Sequence, residues 1–588
     1  MTRLRFIAWC EASARQAFPD AVAREIEQFT LLSRDSVRRL LSAASMSRET
    51  DPAQFALWAT VLVSVPPAMY AVHQLLNYSA MRYAPAFFVD LAIQADRMFF
   101  VLYGMLAAAL LAAVMWEALL PDRSDQEIVG SLPVRPRTLA AARLSAALMV
   151  VTMFSLPISL PAGIILAVAA PAHPALGFLP TVFAAHVIAT MGGSLCVFAL
   201  LLIVRGAIAF CLGEHVSQRL ATVLQLVTVA ALAEVVFFIP GVLPAMVTRM
   251  IFADPSAIAL PPVWFAALYS WLVGTPHAAL ASTALLAPIA FASAVVLVIP
   301  VYLLPAAVLA RRTIETQPRQ HAGVISSFAR TAAVALPASA VIRAILVFVV
   351  ASLLRSRRHR LVVTAYAGVA IAVGTMGVIA GSIRGTIALD HPGVSLLSLP
   401  LVLMFFVALG LRAAFAIPTD IEANWSFRVA QPPVMAAVNA TAIAILLVGI
   451  VPIVAVASTA AFLLGWDHGA ATAVGALDLL SAMVLVEWAL ADWRKVPFTC
   501  GHMPDPESLR SRWLFYIVPL IVFAFVNAAI QRHALASTRA MCWYAGIAAV
   551  AIAILHLRRW VAVRRLMLQF EASPGDAMAT LSLSEALH

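Results

Sequence analysis

The sequence predicts an all-α polytopic membrane protein with about twelve transmembrane helices, arranged as two fused six-helix halves with both termini cytoplasmic. Three observations predict this fold: a series of long apolar blocks, an asymmetric distribution of Arg, and a repeated turn. The chain has 588 residues, of which 63% are hydrophobic and only 12% are charged. Lipid must therefore be the solvent for most of its surface.

The apolar blocks define the predicted spans. A helix needs about 20 apolar residues to cross ~30 Å of hydrocarbon. Twelve blocks meet this requirement, near residues 53–75, 98–120, 144–169, 177–204, 220–246, 279–310, 361–381, 394–416, 435–464, 470–490, 514–531 and 539–557.

The orientation of the spans follows from the positive charges, because cytoplasmic loops retain Arg and Lys during insertion. With the N-terminus inside, 33 of the 39 Lys and Arg residues lie on the cytoplasmic side. Six are left outside, namely Arg82, Arg97, Arg249, Arg384, Arg532 and Arg539. Both termini are then cytoplasmic, which requires an even number of spans.

A thirteenth apolar stretch, 340–354, is too short to span. It has barely a dozen uncharged residues between Arg343 and Arg355, and as a span it would invert everything downstream. We expect an amphipathic helix in the membrane interface there. A similar Arg-bearing stretch with helical spacing, 20–45, precedes the first block.

The charge and cysteine patterns exclude several classes. The formal charge of +10 lies beside the spans, where it faces membrane lipid headgroups, so a nucleic-acid partner is not indicated. No metal site or disulfide framework is indicated, because the five cysteines lack ligand spacing: Cys10, Cys196, Cys211, Cys500 and Cys542. The one Lys, Lys495, follows no Gly-rich turn, so this chain lacks a P-loop.

An internal repeat divides the chain in two. An apolar span runs into LLPDRSDQEIVGSLPVRPRTLAAARLSAAL in the first half and into FAIPTDIEANWSFRVAQPPVMAAVNATAIA in the second. In both copies a Pro stops the span, an acidic stretch follows, and a second Pro precedes an Ala-rich span. Each copy lies between the second and third spans of a six-span half. We infer two six-span units in parallel orientation.

These segments also resemble a known family. The run PDRSDQEIVGSLPVRPRTL, entered from WEALL, resembles the cytoplasmic turn of bacterial ABC-type export permeases of the type-2 class. The segments EANWSFR and WRKVPFTC look like those of large fused permeases in that group. The resemblance implies a bacterial inner-membrane permease that binds no cofactor itself. ATP and Mg would be used by a cytoplasmic P-loop ATPase subunit, in two copies, and the exported substrate is unknown.

The resemblance also implies roles for segments outside the spans. A connecting helix at 20–45, a coupling helix at 122–138 and a short re-entrant helix at 261–274 would take the family's places. The external loop 532–538 is too short for a second re-entrant helix. The resulting division is an N-terminal region, a first half, a linker with the interfacial helix, a second half and a tail, at 1–52, 53–311, 312–360, 361–557 and 558–588.

The two turns carry the candidate coupling residues. Pro stiffens a turn that must transmit a push, and charged side chains make charge-assisted contacts with a partner. The first turn offers Asp122, Arg123, Asp125, Pro133, Arg135, Pro136 and Arg137. The second offers Asp420, Glu422 and Arg428, with Trp425 and Phe427 as aromatic anchors for a partner groove. The alternative is a solvated loop that obeys the positive-inside rule.

Ionisable residues within spans are further candidates, because such groups usually face a partner or a cavity. Glu234, Asp478 and Glu487 are the acidic ones. Asp478 and Glu487 lie nine residues apart, on opposite sides of one helix, so they should not share a site. Glu234 could relay protons or contact substrate, but helix–helix hydrogen bonding in a protonated state is the alternative that we favour.

The aromatic residues Trp264, Tyr269 and Trp271 are expected to anchor a short helix at the outer interface, with gating of substrate exit as a second reading. Two other functions stay open. An ion-coupled secondary transporter also uses twelve spans in two halves. An integral membrane enzyme would need convergent acids, a metal or a nucleophile, and the sequence shows no such set.

Overall fold

The computed structural model is helical, and the residues that it describes are 20–44, 52–81, 84–116, 118–119, 134–169, 178–211, 214–237, 247, 259–275, 281–303, 337–383, 389–418, 425–499, 514–563 and 568. No β-strand occurs in these ranges. Eleven helices within them are long and apolar enough to cross a membrane. The protein is therefore an all-helical, multi-pass membrane protein, built as two compact units, 1–319 and 320–588.

The described part of the first unit contains eight helices. They are α1 (Asp20–Ala44), α2 (Pro52–Ala80), α3 (Ala86–Val114), α4 (Pro136–Ala169), α5 (Leu179–Cys211), α6 (Glu214–Phe237), α7 (Pro261–Val273) and α8 (Leu286–Leu303). Candidate spans lie in α2, α3, α4, α5 and α8, and α6 contains a shorter apolar helix, Leu220–Val236.

The second span lies earlier in the chain than predicted. The predicted block is 98–120, but α3 runs from Ala86 to Val114. Arg97, which the sequence predicted outside the membrane, lies within this helix and is 4% exposed. The helix begins before the predicted block because buried hydrogen bonds let an apolar helix contain charged side chains.

Helix α7 is too short to cross a bilayer. Its 13 residues begin with two Pro in the first turn, where the missing N–H groups cost nothing. It ends at Gly274, whose φ of 82° is the left-handed conformation that favours glycine at a helix C-terminus. Most of its residues are buried against α3 and α5, so α7 belongs to the packed bundle.

The described part of the second unit also contains eight helices. They are α9 (Ala340–Arg355), α10 (Arg357–Ile383), α11 (Val394–Ala416), α12 (Trp425–Ala430), α13 (Val434–Leu463), α14 (His468–Ala489), α15 (514–534) and α16 (Thr538–Val563). All except α9 and α12 contain candidate spans. Helices α13 and α15 each contain one π-helical turn, at Ile445–Ile450 and Ile521–Val526.

Equivalent helices make equivalent contacts inside each unit. In the first unit α1 packs on α4, α3 packs on α5 and α6, and α5 packs on α8. In the second unit α9 packs on the start of α13, α11 packs on α14 and α15, and α14 packs on α16. The first span differs, since α2 packs mainly on α4 whereas α10 packs mainly on α11. The two units thus share three of these packing arrangements and differ in the fourth.

Small residues allow α3 and α5 to approach closely. A Cβ added to Gly104 of α3 would lie 2.8 Å from the Ser194 Oγ of α5, and one added to Gly193 would lie 2.9 Å from the Met105 Cε. Such small residues let membrane helices approach closely enough for van der Waals packing. Residues of α3 and α5 also line a small cavity in the first unit.

Candidate functional site

A buried carboxylate, Asp96, lies in the first half of α3. Its Oδ1 accepts hydrogen bonds from the Tyr70 hydroxyl at 2.7 Å and from the Gln74 Nε2 at 2.6 Å. Its Oδ2 accepts one from the Tyr78 hydroxyl. A carboxylate with three donors is stabilised in its charged form even where water is excluded. The three donors therefore let an acidic group occupy a membrane helix.

The donors come from one face of α2. Tyr70, Gln74 and Tyr78 are spaced four residues apart, and residues at that spacing lie above one another on a helix. Gln74 also donates to the Tyr70 hydroxyl at 2.8 Å, which fixes the two side chains relative to each other. The sequence contained this spacing, but its meaning required knowing that the facing helix carries Asp96.

Arg97, the next residue, holds the short helix α7 against α3. Its Nη1 donates to the Ser270 Oγ at 2.9 Å, and its Nη2 donates to the Thr275 Oγ1 at 3.1 Å. The guanidinium also lies 5.1 Å from the centre of the Tyr269 ring, a cation–π distance. Ser270 in turn donates to the Gln94 Oε1 at 2.9 Å. These contacts, which we call the Arg97 latch, join α3 to the C-terminal end of α7.

A small cavity lies beside these groups. It is lined by residues of α2, α3, α4, α5 and α7, namely Tyr78, Ile93, Asp96, Arg97, Phe100, Leu166, Val182 and Tyr269. Its volume of about 20 Å³ is room for about one water molecule. The site is thus closed to larger molecules in the conformation described.

The lining residues share one end of the bundle. Tyr78 lies in the last turn of α2, Leu166 in the last turn of α4, and Val182 in the first turn of α5. The predicted orientation places all three of these ends on the outer side of the membrane. On that orientation the cavity, the Arg97 latch and α7 together form the outer end of the first unit.

His186 of α5 adjoins the same aromatic wall. Its ring lies edge-on to Phe100 at 5.0 Å and to Tyr269 at 5.6 Å between centroids. It is fully buried, and within the described part of the chain neither ring nitrogen has a hydrogen-bond partner. No neighbour of His186 in the sequence indicates the rings around it.

The three aromatic residues predicted at the outer interface separate in the structure. Tyr269 is buried at 3% exposure and faces Arg97, Trp264 is half-buried, and Trp271 is exposed. Tyr269 therefore belongs to the latch, whereas Trp271 has the exposure of an interface residue.

The first predicted coupling turn is described only at its end. Asp122, Arg123, Asp125 and Pro133 lie outside the described residues, and Pro136 is the first residue of α4. The Arg135 Nη1 pairs with the Glu25 Oε2 of α1 at 3.2 Å, and the Thr138 Oγ1 donates to the Glu25 Oε1 at 3.1 Å. The turn is thus tied to α1, while Arg137 is exposed.

The second predicted turn is tied to its own unit by aromatic rings. Asp420 and Glu422 lie outside the described residues, as do the side chains of Trp425 and Arg428 in helix α12. The Phe427 ring is half-buried, 5.0 Å from the Phe348 ring of α9. Phe427 was predicted as an anchor for a partner, but much of its surface packs within the chain.

The WRKVPFTC segment, which follows α14, completes this aromatic cluster. Phe498 is 1% exposed, and its ring lies 4.5 Å from that of His359, 5.3 Å from Phe415 and 6.4 Å from Phe348. Its N–H donates to the Phe415 carbonyl at 2.9 Å. Its φ of 67° is a conformation that a bulky residue rarely adopts, so the surrounding packing must hold it.

The acidic residues predicted within spans lie in separate surroundings. Glu234 is half-buried near the end of α6. Asp478 is fully buried in α14 and accepts a hydrogen bond from the Gln531 Nε2 of α15 at 3.0 Å. Glu487 pairs with Arg559 of α16 at 2.9 Å. Among the residues that the structure describes, Asp478 and Glu487 share no partner, in agreement with their nine-residue spacing.

The Glu487 cluster joins three helices of the second unit. His556 Nδ1 lies 3.1 Å from the Glu487 Oε1, and the Arg559 Nη2 donates to the Asn439 Oδ1 of α13 at 3.0 Å. Arg559 is only 2% exposed, so this ion pair is buried. A buried Arg–carboxylate pair fixes geometry strongly, because losing either partner leaves an unpaired charge.

Within the residues that the structure describes, no group of three His, Cys, Asp or Glu side chains could hold a metal ion.

Comparison with known proteins identifies no relative of this chain. No protein-family model, no curated protein and no solved structure matches the sequence or the fold.

Proposed function

We propose that this protein is the membrane subunit of an ATP-driven exporter of the type-2 ABC class. It moves a substrate across the bacterial inner membrane, and a separate cytoplasmic P-loop ATPase, bound in two copies, supplies the energy. The resemblance of the two turns supports this assignment, and the packing of the helices that flank them agrees with it.

One observation carries the proposal. In each unit a helix that precedes the first span packs against the helix that follows the predicted coupling turn: α1 on α4, and α9 on the start of α13. A partner that pushes on either turn would therefore move two elements of that unit together. The Glu25 contacts to Arg135 and Thr138 provide this connection in the first unit.

The lone Lys supports a separate ATPase. A P-loop Lys must be able to reach nucleotide phosphates from a Gly-rich turn. Lys495 is 8% exposed and lies 5.4 Å from the centre of the Trp493 ring. It takes part in the packing of the WRKVPFTC segment, so the energy source is expected on another chain.

The Arg97 latch gives the proposed exporter an outer gate. Helix α7 lies against α3, and three contacts of one guanidinium hold its C-terminal end in place. Release of these contacts would free α7 to move away from the small cavity. Substrate exit on the outer side would then depend on breaking hydrogen bonds to Ser270 and Thr275.

Recovery of the ATPase together with the tagged chain tests the proposal. The tagged chain is purified from its own membranes in mild detergent, and bound proteins are identified by mass spectrometry. A P-loop ATPase at about two copies per chain is expected. A chain that emerges alone, and stays alone after cross-linking in the membrane, would overturn the proposal.

A variant of the exposed Arg137 tests whether the ATPase docks at the first turn. Arg137→Glu reverses a charge on the turn without breaking the Glu25–Arg135 pair, so it should reduce ATPase recovery and leave insertion intact. Arg532→Glu is the matched control, since Arg532 is also exposed but lies on the predicted outer side. Equal recovery from both variants would argue against docking at this turn.

A second candidate, an ion-coupled secondary transporter, is favoured by the buried carboxylates Asp96 and Asp478. Carboxylates within spans form proton and ion pathways in such proteins. Reconstituted vesicles separate the two functions. An exporter needs the ATPase and ATP, whereas a secondary transporter works on an ion gradient alone and should lose activity with Asp96→Asn or Asp478→Asn.

A further inference from the structure

Asp478 is the most enclosed acidic group of the second unit's described spans. It is the eleventh of the 22 residues of α14 and is 0% exposed. Its Oδ1 accepts a hydrogen bond from the Gln531 Nε2 of α15 at 3.0 Å. Gln531, also 0% exposed, lies one turn after the π-helical turn Ile521–Val526. Such turns are frequent at functional sites.

Two oxygens of this pair lack a donor. In the described part of the chain, neither the Asp478 Oδ2 nor the Gln531 Oε1 has a hydrogen-bond partner, although both atoms are buried. The Gln531 amide nitrogen cannot supply a further donor, because it already donates to the Asp478 Oδ1 and to the Ser481 Oγ at 3.3 Å. Buried acceptors without donors are costly, and native proteins rarely leave two together.

A proton resolves both defects at once. We infer that Asp478 is a proton-binding site, whose carboxylic acid donates from Oδ2 to the Gln531 Oε1. The amide donates back to Oδ1, so acid and amide form a cyclic pair with two hydrogen bonds. The carboxylate takes the proton from a hydronium ion of the aqueous phase, which becomes a water molecule, and no other covalent bond changes. The pair then joins α14 to α15 without a net charge.

The neighbours of the pair are neutral. The Ser481 Oγ lies 2.5 Å from the Tyr544 hydroxyl of α16, and Asn527 donates to the same Ser481 Oγ at 3.1 Å. The Tyr544 hydroxyl lies 2.8 Å from the Asn527 Oδ1. These contacts extend the network to a third helix. None of the four side chains beside Asp478 carries a positive charge that would favour an ionised carboxylate.

The titratable groups on the packed helices lie elsewhere or are engaged. His556 and Arg559 pair with Glu487, and Arg412 of α11 pairs with Asp492. The other described titratable groups are His468, Arg532, His533, Arg539, Cys542 and Arg558, which are exposed, and Tyr516 of α15, which is half-buried. Within the described ranges, no ion pair involves Asp478, in contrast to Glu487 on the same helix.

This inference does not depend on the proposed export function. A protonated Asp478 serves helix association, since polar side chains that hydrogen-bond across helices hold membrane bundles together. The proton is therefore a resident ligand of the second unit. Loss of this proton would place an unpaired charge in a buried site and separate α14 from α15.

Infrared spectroscopy of the full chain in lipid tests the inference. The difference between wild type and Asp478→Asn at neutral pH should show a carboxylic-acid C=O stretch in the wild type that shifts in heavy water. Asparagine can form the same cyclic pair, so the melting temperature should be unchanged. A carboxylate band in place of the acid band would overturn the inference.

A matched control lies on the same helix. Glu487→Gln should leave the acid band in place and lower the melting temperature, because Arg559 loses its ion pair. If Asp478→Asn does not fold, Gln531→Met provides the second measurement. It should retain the acid band but shift it to higher frequency, since the acid loses its acceptor. An unshifted or absent acid band in Gln531→Met would contradict the cyclic pair.

Discussion

At the residue scale, hydrogen-bond donors surround the buried carboxylate Asp96 of the first unit. Asp96 receives three hydrogen bonds from α2, and the adjacent Arg97 supplies a nearby opposite charge. Arg97 itself is held by two hydroxyl oxygens and an aromatic face. The arrangement contrasts with Asp478, whose one described donor is an amide.

The charge state of Asp96 can be tested with two tyrosines. The Tyr78 hydroxyl donates to Asp96, whereas the equally buried Tyr103 hydroxyl donates to the neutral Val63 carbonyl at 2.7 Å. A hydrogen bond to a charged group contributes about 1.5–3 kcal/mol and one to a neutral group about 0.5–1.5. Tyr78→Phe should therefore lower the free energy of unfolding more than Tyr103→Phe, measured by detergent-induced unfolding. Equal losses would indicate a neutral Asp96.

Single residues were the hardest feature to predict from sequence. The acids Asp478 and Glu487 were visible as interruptions of an apolar block, and their separation followed from helical geometry. Asp96 and Arg97 were missed because they were assigned to a loop rather than a span. The spacing of Tyr70, Gln74 and Tyr78 was a usable signal, but its partner lies on another helix.

At the element scale, each unit contains a short helix that is too short to span, α7 with 13 residues in the first and α12 with 6 in the second. Helix α7 was predicted at 261–274 and runs from Pro261 to Val273. The Pro and Gly that bound it were readable from the sequence. That its tyrosine faces inward was not, because aromatic residues favour both interfaces and buried sites.

Removing the latch should loosen α7. Arg97→Gln deletes the cation and its two charge-assisted hydrogen bonds to Ser270 and Thr275, each of which contributes about 1.5–3 kcal/mol. Amide hydrogen exchange in residues 261–275 should then increase at least about tenfold, because 1.4 kcal/mol is a factor of ten in an opening equilibrium. Arg532→Gln, at an exposed site, should leave exchange there unchanged. Unchanged exchange in Arg97→Gln would show that apolar packing alone holds α7.

The cluster around Phe498 should hold α12 in place. Phe498→Ala removes a ring that contacts three others, so it should lower the free energy of unfolding by about 3–5 kcal/mol. Phe462→Ala is the control, since Phe462 is 48% exposed and should change stability by less than about 0.5 kcal/mol. If α12 docks an ATPase, Phe498→Ala should also reduce its recovery. Comparable stability of the two variants would mean that the cluster does not support this end of the unit.

At the scale of the whole molecule, hydrophobic periodicity and length predicted the spans well. Each of the twelve apolar blocks overlaps a helix, because a bilayer demands one length and one kind of side chain. The packing of the helices was beyond such reasoning. Lipid is as apolar as Leu, so hydrophobicity alone does not distinguish a helix face that packs on protein from one that faces lipid.

The orientation of the second unit depends on α9. This helix has 16 residues, or about 24 Å at 1.5 Å per residue, and carries Arg343 and Arg355 near its ends. It buries a stripe of residues within the second unit, namely Ile345, Leu346, Val349, Val350 and Leu353. A short helix with one buried stripe fits an interfacial position better than a span. On this basis we expect the loop after α14 in the cytoplasm and the turn between α15 and α16 outside it.

Alkaline phosphatase fusions measure this orientation directly, because the enzyme is active only outside the cytoplasm. A fusion after Asp492, beyond α14, should be inactive, and one after Ala536, between α15 and α16, should be active. A fluorescent protein fused after Val563 should fluoresce, since that end of α16 is expected inside. If α9 crosses the membrane, all three results reverse, with Asp492 outside and Ala536 inside. That reversal would place the Arg-rich loops of the second unit outside, and neither the predicted coupling role of α12 nor a parallel repeat could then be retained.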